Sequence, residues 1–160
     1  MIKVSMGHLS FNSKVIGVIG SEREVVNEKM LFGNTIYNCT CVSIGNPHCV
    51  IPVTEVSKDL ICEIGKYSEK ANYFPNRINT QIVKIIDRNN IQIEIFERGA
   101  GYTLASGSSS CAAAGAAYKL GLVNSNITVH MPGGNLEITI DSNYNVEMTG
   151  PVQHICSIII

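Results

Sequence analysis

Ser106-Gly107-Ser108-Ser109-Ser110-Cys111-Ala112-Ala113-Ala114-Gly115-Ala116-Ala117-Tyr118-Lys119-Leu120-Gly121 is the stretch that decides the fold. It predicts a helix that starts near Gly107 or Ser108 and ends at Gly121, a natural residue just past a helix end. Between Ser110 and Tyr118 no side carries a charge. A helix that is apolar all round is buried all round. Its side chains are small, so other backbones approach it closely. The simplest arrangement is an α+β fold in which a curved, mixed or antiparallel sheet wraps this central helix. No linker, repeat or low-complexity tract interrupts the chain, so residues 1–160 read as one domain.

The flanking sequence supplies the strands. Residues 2–5, 14–19 and 35–44 are β-rich, 24–32 alternates loosely, and 49–53 is a short apolar run after the Gly45-Asn46-Pro47 turn signal. Residues 81–87 and 91–97 flank Asn89-Asn90, and 127–131 and 136–140 flank Pro132-Gly133-Gly134, so both pairs read as hairpins. Residues 146–149 and 153–159 complete the pattern. A second, amphipathic helix is expected from the N-cap Ser57 to about Ala71. Leu60, Ile61, Ile64 and Tyr67 lie on its inner side, with Lys58, Glu63, Lys66 and Glu69 outside.

Composition narrows the function. Of the 160 residues 45% are apolar and 16% charged, enough for a packed core and against disorder. Twelve basic residues balance thirteen acidic ones, with no basic patch, which argues against nucleic-acid or anionic-membrane partners. No apolar run spans a bilayer and no export signal is visible, so the expected location is cytoplasmic. The six cysteines, Cys39, Cys41, Cys49, Cys62, Cys111 and Cys156, sit mostly in apolar segments and read as reduced core residues. With no C-x-x-C or H-x-x-x-H spacing, no metal site is expected.

Chemistry concentrates in three segments. Residues 96–110 run from a strand ending in Glu97 and Arg98, through Gly99 and Gly101, into a small polar loop that feeds the buried helix. Free N–H groups and the positive end of the helix dipole make an anion site there. The plainer reading is a serine-capped helix. A Walker loop is excluded because no G-K-[ST] follows, and a nucleophile elbow because Leu104 stands where its first glycine belongs. The second segment, residues 43–50, sets Asn46 and His48 around Pro47 in a tight turn, where the histidine serves either as a turn residue or in catalysis. The third, residues 74–79, is a loop entering a strand.

Taken together, the segments V-S-M-G (4–7), G-N-P-H-C-V (45–50), F-P-N-R-I-N (74–79), E-R-G-A-G (97–101), residues 106–112, P-G-G (132–134) and M-T-G-P (148–151) resemble the C-terminal half of the diaminopimelate epimerase family. They fall in the family's order over nearly the whole chain. The resemblance implies two similar halves, each a curved sheet around a central helix, with the active site between them. It implies inversion at an amino-acid α-carbon by two cysteines without pyridoxal phosphate or any other cofactor, here converting LL- to meso-diaminopimelate in lysine biosynthesis. Carried over residue by residue, Asn46 and Asn79 bind polar groups of a small amino-acid substrate, and Arg98 pairs with its distal carboxylate. Glu97 and His48 orient or tune the acid–base pair, and Gly107 and Ser108 form the anion-binding helix start.

Two departures stand out. Ser106 occupies the position of the family's second catalytic cysteine, and a hydroxyl is a far poorer acid or base than a thiol of pKa about 8.5. Cys111, more than one turn further on, reads as a core residue. Tyr102 replaces an acidic residue after the second glycine, which bears on the substrate. The N-terminal half, with the other cysteine, is not in this chain, so the expected partner is that half or a second copy. Two alternatives stay open: a related isomerase or dehydratase working with one base, and a non-catalytic module that binds a carboxylate.

Overall fold

A computed structural model describes residues 1–159. The chain forms an α+β fold with a large, mostly antiparallel sheet and few helices. Its strands are β1 (Ile2–His8), β2 (Glu28–Phe32), β3 (Thr35–Ser43), β4 (Pro47–Pro52), β5 (Asn79–Asp87), β6 (Asn90–Glu97), β7 (Gly101–Thr103), β8 (Asn126–Met131), β9 (Gly134–Ile140) and β10 (Asn145–Gly150). They lie in the order β1-β10-β9-β8-β6-β5-β4-β3-β2, with the short β7 paired to β6. Two neighbouring pairs are parallel, β4 with β5 and β6 with β8. Parallel neighbours need a crossover, and each crossover carries a helix: α2 (Lys58–Ser68) between β4 and β5, and α3 (Gly107–Lys119) between β6 and β8.

The helices cover opposite faces. Along β5, Val83 joins the apolar cluster around α3, whereas Ile82 joins the cluster holding Ile61 and Ile64 of α2. Period-two alternation puts Asn79 and Gln81 on the α3 side with Val83. α3 is buried from Ser109 to Ala117 and packs against strands from β3 to β10. Leu9 lies so close to Gly115 that a Cβ there would collide with its side chain. α3 ends as its sequence predicts: Gly121 is left-handed at φ +73°, and the Gly121 and Leu122 N–H groups donate to Tyr118 and Ala117 carbonyls.

Three expectations are corrected. Residues 14–19 do not form a strand. Asn12 accepts the Lys14 N–H at 2.9 Å and Gly17 turns left-handed, so local capping makes a single helical turn, α1 (Ser13–Ile16). Residues 153–159 lie exposed and form no strand, since they pair with neither β1 nor β2 at the sheet's edges. Finally, α2 ends before Ala71: Tyr67 is 47% exposed, while Glu69 at the C-cap is buried. Among the described residues no helix is long and apolar enough to cross a membrane.

Candidate active site

The β6-to-β8 crossover sets the N-terminus of α3 at the sheet edge where β6 ends and where β4 and β5 begin. Ser106 is the N-cap, with its hydroxyl accepting the Ser109 N–H at 3.4 Å. The Ser110 hydroxyl returns to the Ser106 carbonyl at 2.8 Å. Among the described residues nothing takes up the N–H groups of Gly107 and Ser108. Gly107 keeps this start narrow: a Cβ would lie 3.0 Å from Met148 Sδ and would fit only if that flexible side chain gave way. The Pro132-Gly133-Gly134 turn buttresses the loop before the helix: Gly133 N–H donates to the Leu104 carbonyl at 2.8 Å. An open pocket of about 270 Å³ lies between Ser106, Gly107, Gly133, Leu136 and Pro151.

The β3–β4 turn brings the second segment to this helix. Gly45 turns the chain at φ +99°, a conformation that favours glycine. Asn46 then reaches the Ser108 hydroxyl through its amide nitrogen at 3.4 Å. His48 is fully buried, with Nε2 2.9 Å from Asn46 Oδ1 and Nδ1 3.1 Å from Gln81 Nε2. Burial pushes its pKa down to about 4, reinforced by the positive charge of Arg98. His48 is therefore a neutral imidazole at physiological pH.

The third segment holds the β6–β7 turn. Asn79 Oδ1 accepts the Arg98 N–H at 2.8 Å, while its amide nitrogen donates to the Pro47 carbonyl at 2.9 Å, tying the Arg98 turn to the His48 turn. The exposed Arg98 guanidinium donates to the Asn76 carbonyl at 3.2 Å and makes no hydrogen bond to the start of α3. Glu97 is half-buried at the end of β6, and its carboxylate has no hydrogen-bond partner among the described residues. The structure thus joins Asn46, His48, Ser106 and Ser108 through hydrogen bonds, and Asn79 with Arg98, while Glu97 joins neither set.

Sequence reasoning passed over three residues. Gln81 looked like part of an apolar strand, but it lies two residues beyond Asn79 on the same face and donates to Ser109 Oγ at 3.1 Å as well as to His48. Ser109 was one of a serine run. Glu69, expected on the solvent side of α2, accepts the Gly99 N–H at 2.7 Å and so pins the turn that carries Arg98. The signal for Gln81 was its polarity within an otherwise apolar strand. Glu69 gave none, because its partner is thirty residues away. Cys111 is fully buried in the α3 core, where burial drives its thiol up to about 12, too high for acid–base work.

The family model described as diaminopimelate epimerase matches residues 40–155. The chain is 49% identical over 151 residues to diaminopimelate epimerase 2 of Nostoc sp., covering 94% of this chain and 53% of that protein. It is 35% identical to the diaminopimelate epimerase of Bacillus subtilis, over 98% of this chain and 56% of that protein. The chain thus spans about half the length of these curated relatives. Among solved structures, a predicted epimerase from Pseudomonas aeruginosa superposes with TM-score 0.52 at 13% identity, over 91% of this chain and 53% of that one. Methylitaconate-delta-isomerase superposes with TM-score 0.54 at 10% identity, over 88% of this chain and 56% of that one, a likeness of fold alone. With most of its length matched by the family model and close relatives along nearly all of it, the chain belongs to the diaminopimelate epimerase family.

Proposed function

We propose that this chain is the C-terminal half of a cofactor-independent amino-acid epimerase that inverts diaminopimelate for lysine biosynthesis in the cytoplasm. In this reading the sheet curves around α3, and a matching N-terminal half, or a second copy of the chain, closes the site. The observation that carries the reading is the convergence of Asn46, His48 and Ser106 on the free N–H groups of Gly107 and Ser108, in a chain of this family.

The chemistry follows from the residues. A base on one face takes the α-proton, the electron pair moves toward the α-carboxylate, and an acid on the other face returns a proton. The charge growing on the carboxylate meets the N–H groups of Gly107 and Ser108 and the positive end of the α3 dipole. Arg98 holds the distal carboxylate, and Asn46 and Asn79 hold polar groups of the substrate. Glu97 tunes the acid–base pair. Ser106 is the group this half offers to the α-carbon, with the opposing thiolate supplied by the other half. His48, being neutral, orients its neighbours and does not supply a charge.

A second reading rests on Ser106. A hydroxyl on one face leaves a single competent base, which suits elimination or isomerisation better than inversion. Deuterium incorporation at the α-carbons of diaminopimelate separates the two. The chain alone is expected to show none, and the chain supplemented with its N-terminal half is expected to exchange and invert. Exchange without inversion supports the one-base reading. Exchange at enzymatic rates by the chain alone would sink the proposal.

A further inference from the structure

On the α3 face of the sheet, one amide sits among the apolar side chains Val42, Val50, Val83 and Ile95. Gln81 is fully buried there, level with Val50 on β4 and Ile95 on β6. A buried amide is costly unless hydrogen-bonded. An aliphatic side chain of similar volume would fill this layer without that cost. Gln81 meets the cost by donating twice, to His48 Nδ1 at 3.1 Å and to Ser109 Oγ at 3.1 Å. Its Oε1 is the one buried side-chain polar atom left without a partner among the described residues.

Those contacts have a direction. With the Gln81 nitrogen serving two acceptors, a single carbonyl oxygen stays unpaired. Turned over, the amide would accept from both groups and bury two N–H donors with no acceptor. Orphaned donors are the rarer and costlier case. The favoured direction leaves His48 Nδ1 without a proton and puts the ring proton on Nε2, which then donates to Asn46 Oδ1 at 2.9 Å. The Asn46 oxygen is thereby turned inward and its NH2 outward, toward Ser108 and the start of α3. Reversed, Asn46 would present a carbonyl oxygen at a site suited to anions.

We propose that Gln81 is a positioning residue: from the floor of the site it holds His48 as the Nε2–H imidazole, and through that ring it keeps the Asn46 amide donors facing the N-terminus of α3. The role assigned to Asn46 rests on the epimerase reading above. The direction of the hydrogen bonds does not depend on it.

Long-range 15N NMR of the histidine rings tests this on the chain itself. In the wild type, His48 is expected as a single Nε2–H tautomer with a bare Nδ1. Gln81→Leu removes the donor and is expected to give a mixture of tautomers. Gln81→Glu replaces the donor with a carboxylate and is expected to put a proton on Nδ1, raising the His48 pKa by at least one unit. Amide dispersion in the same samples reports folding. If one variant fails to fold, the wild-type spectrum and the other variant still decide. A protonated Nδ1 in the wild type overturns the proposal, and so does a Gln81→Leu spectrum that keeps the single Nε2–H form. A residue with only a packing role would change stability and leave the tautomer alone. No turnover enters this measurement. Absent α-proton exchange in the reconstituted pair therefore counts against the epimerase reading alone, and a wrong tautomer against Gln81 alone.

Discussion

Because His48 is buried with both ring nitrogens engaged, folding lowers its proton affinity from an ordinary value near 6.5 to about 4. Between those values the unfolded chain binds a proton that the folded chain refuses. Stability therefore rises with pH across this window and is lost as pH falls from about 6.5 toward 4. Between pH 7 and pH 5 the loss is about 2 kcal/mol from this group. Urea unfolding at the two pH values is expected to show it, and His48→Gln to remove most of the difference. Under the proposed epimerase reading, Arg98 and Ser106 should behave differently. In the complete enzyme, Arg98→Ala is expected to weaken diaminopimelate binding by about ten- to a hundredfold, since a charged fork is lost. Ser106→Ala removes one neutral hydrogen bond, about 1 kcal/mol or roughly fivefold. Calorimetric titration ranks the two. Ser106→Cys is expected to leave binding nearly unchanged and to raise α-proton exchange only when the N-terminal half is present. Flat exchange in that pair would mean that residue 106 does not stand at the reacting carbon.

Helix α2 shows how an element far from the chemistry sets its edge. Ser57 caps it by accepting the Leu60 N–H at 3.1 Å. Ile61 and Ile64 bury its inner face, and Gly65 lets the Phe96 ring lie directly on the helix backbone. A Cβ at residue 65 would fall against the root of that ring, which has little freedom to move. Gly65→Ala gains about 1 kcal/mol of helix propensity. It is nevertheless expected to destabilise the fold by about 1–3 kcal/mol through overpacking, read as a lower urea midpoint with an unchanged slope. Phe96 precedes Glu97 and Arg98, and Glu69 at the end of the same helix holds Gly99. A displaced α2 would therefore also disturb the turn that carries Arg98.

For the whole molecule, the main question is what covers its open surfaces. The segment after β10 exposes Ile155 (91%), Ile158 (81%) and Ile159 (98%). Three exposed isoleucines within five residues make an apolar cluster, and such clusters favour association. Self-association, or pairing with an N-terminal half, is the expected outcome in sedimentation at high concentration. Replacing these three isoleucines by serine is expected to change folding stability by less than about 0.5 kcal/mol, because they touch none of the core, and to shift the sedimentation toward monomer. A triple variant that associates as strongly as the wild type would assign the contact to another face.

The sequence by itself determined those features whose causes are local or periodic. The alanine helix, its serine start and Gly121 end, and the hairpins at Asn89-Asn90 and Pro132-Gly133 were legible, because composition, caps and turn residues act within a few positions; the segments around Asn46, Asn79, Arg98 and Ser106 stood out through their resemblance to a family. Local signals also misled. Residues 14–19 are rich in β-branched side chains, yet the caps at Asn12 and Gly17 prevailed. Residues 153–159 have a strand's composition yet pair with no strand, and pairing is a tertiary event. Only the tertiary structure decided that two parallel crossovers put the helices on opposite faces and brought β4, β5 and the start of α3 to one edge. That placement buries His48 and makes it neutral. It also turns Gln81, an unremarked polar residue in a strand, into the partner of a histidine thirty-three positions away. Burial and hydrogen-bond direction depend on which strands become neighbours, and no short stretch of sequence carries that information.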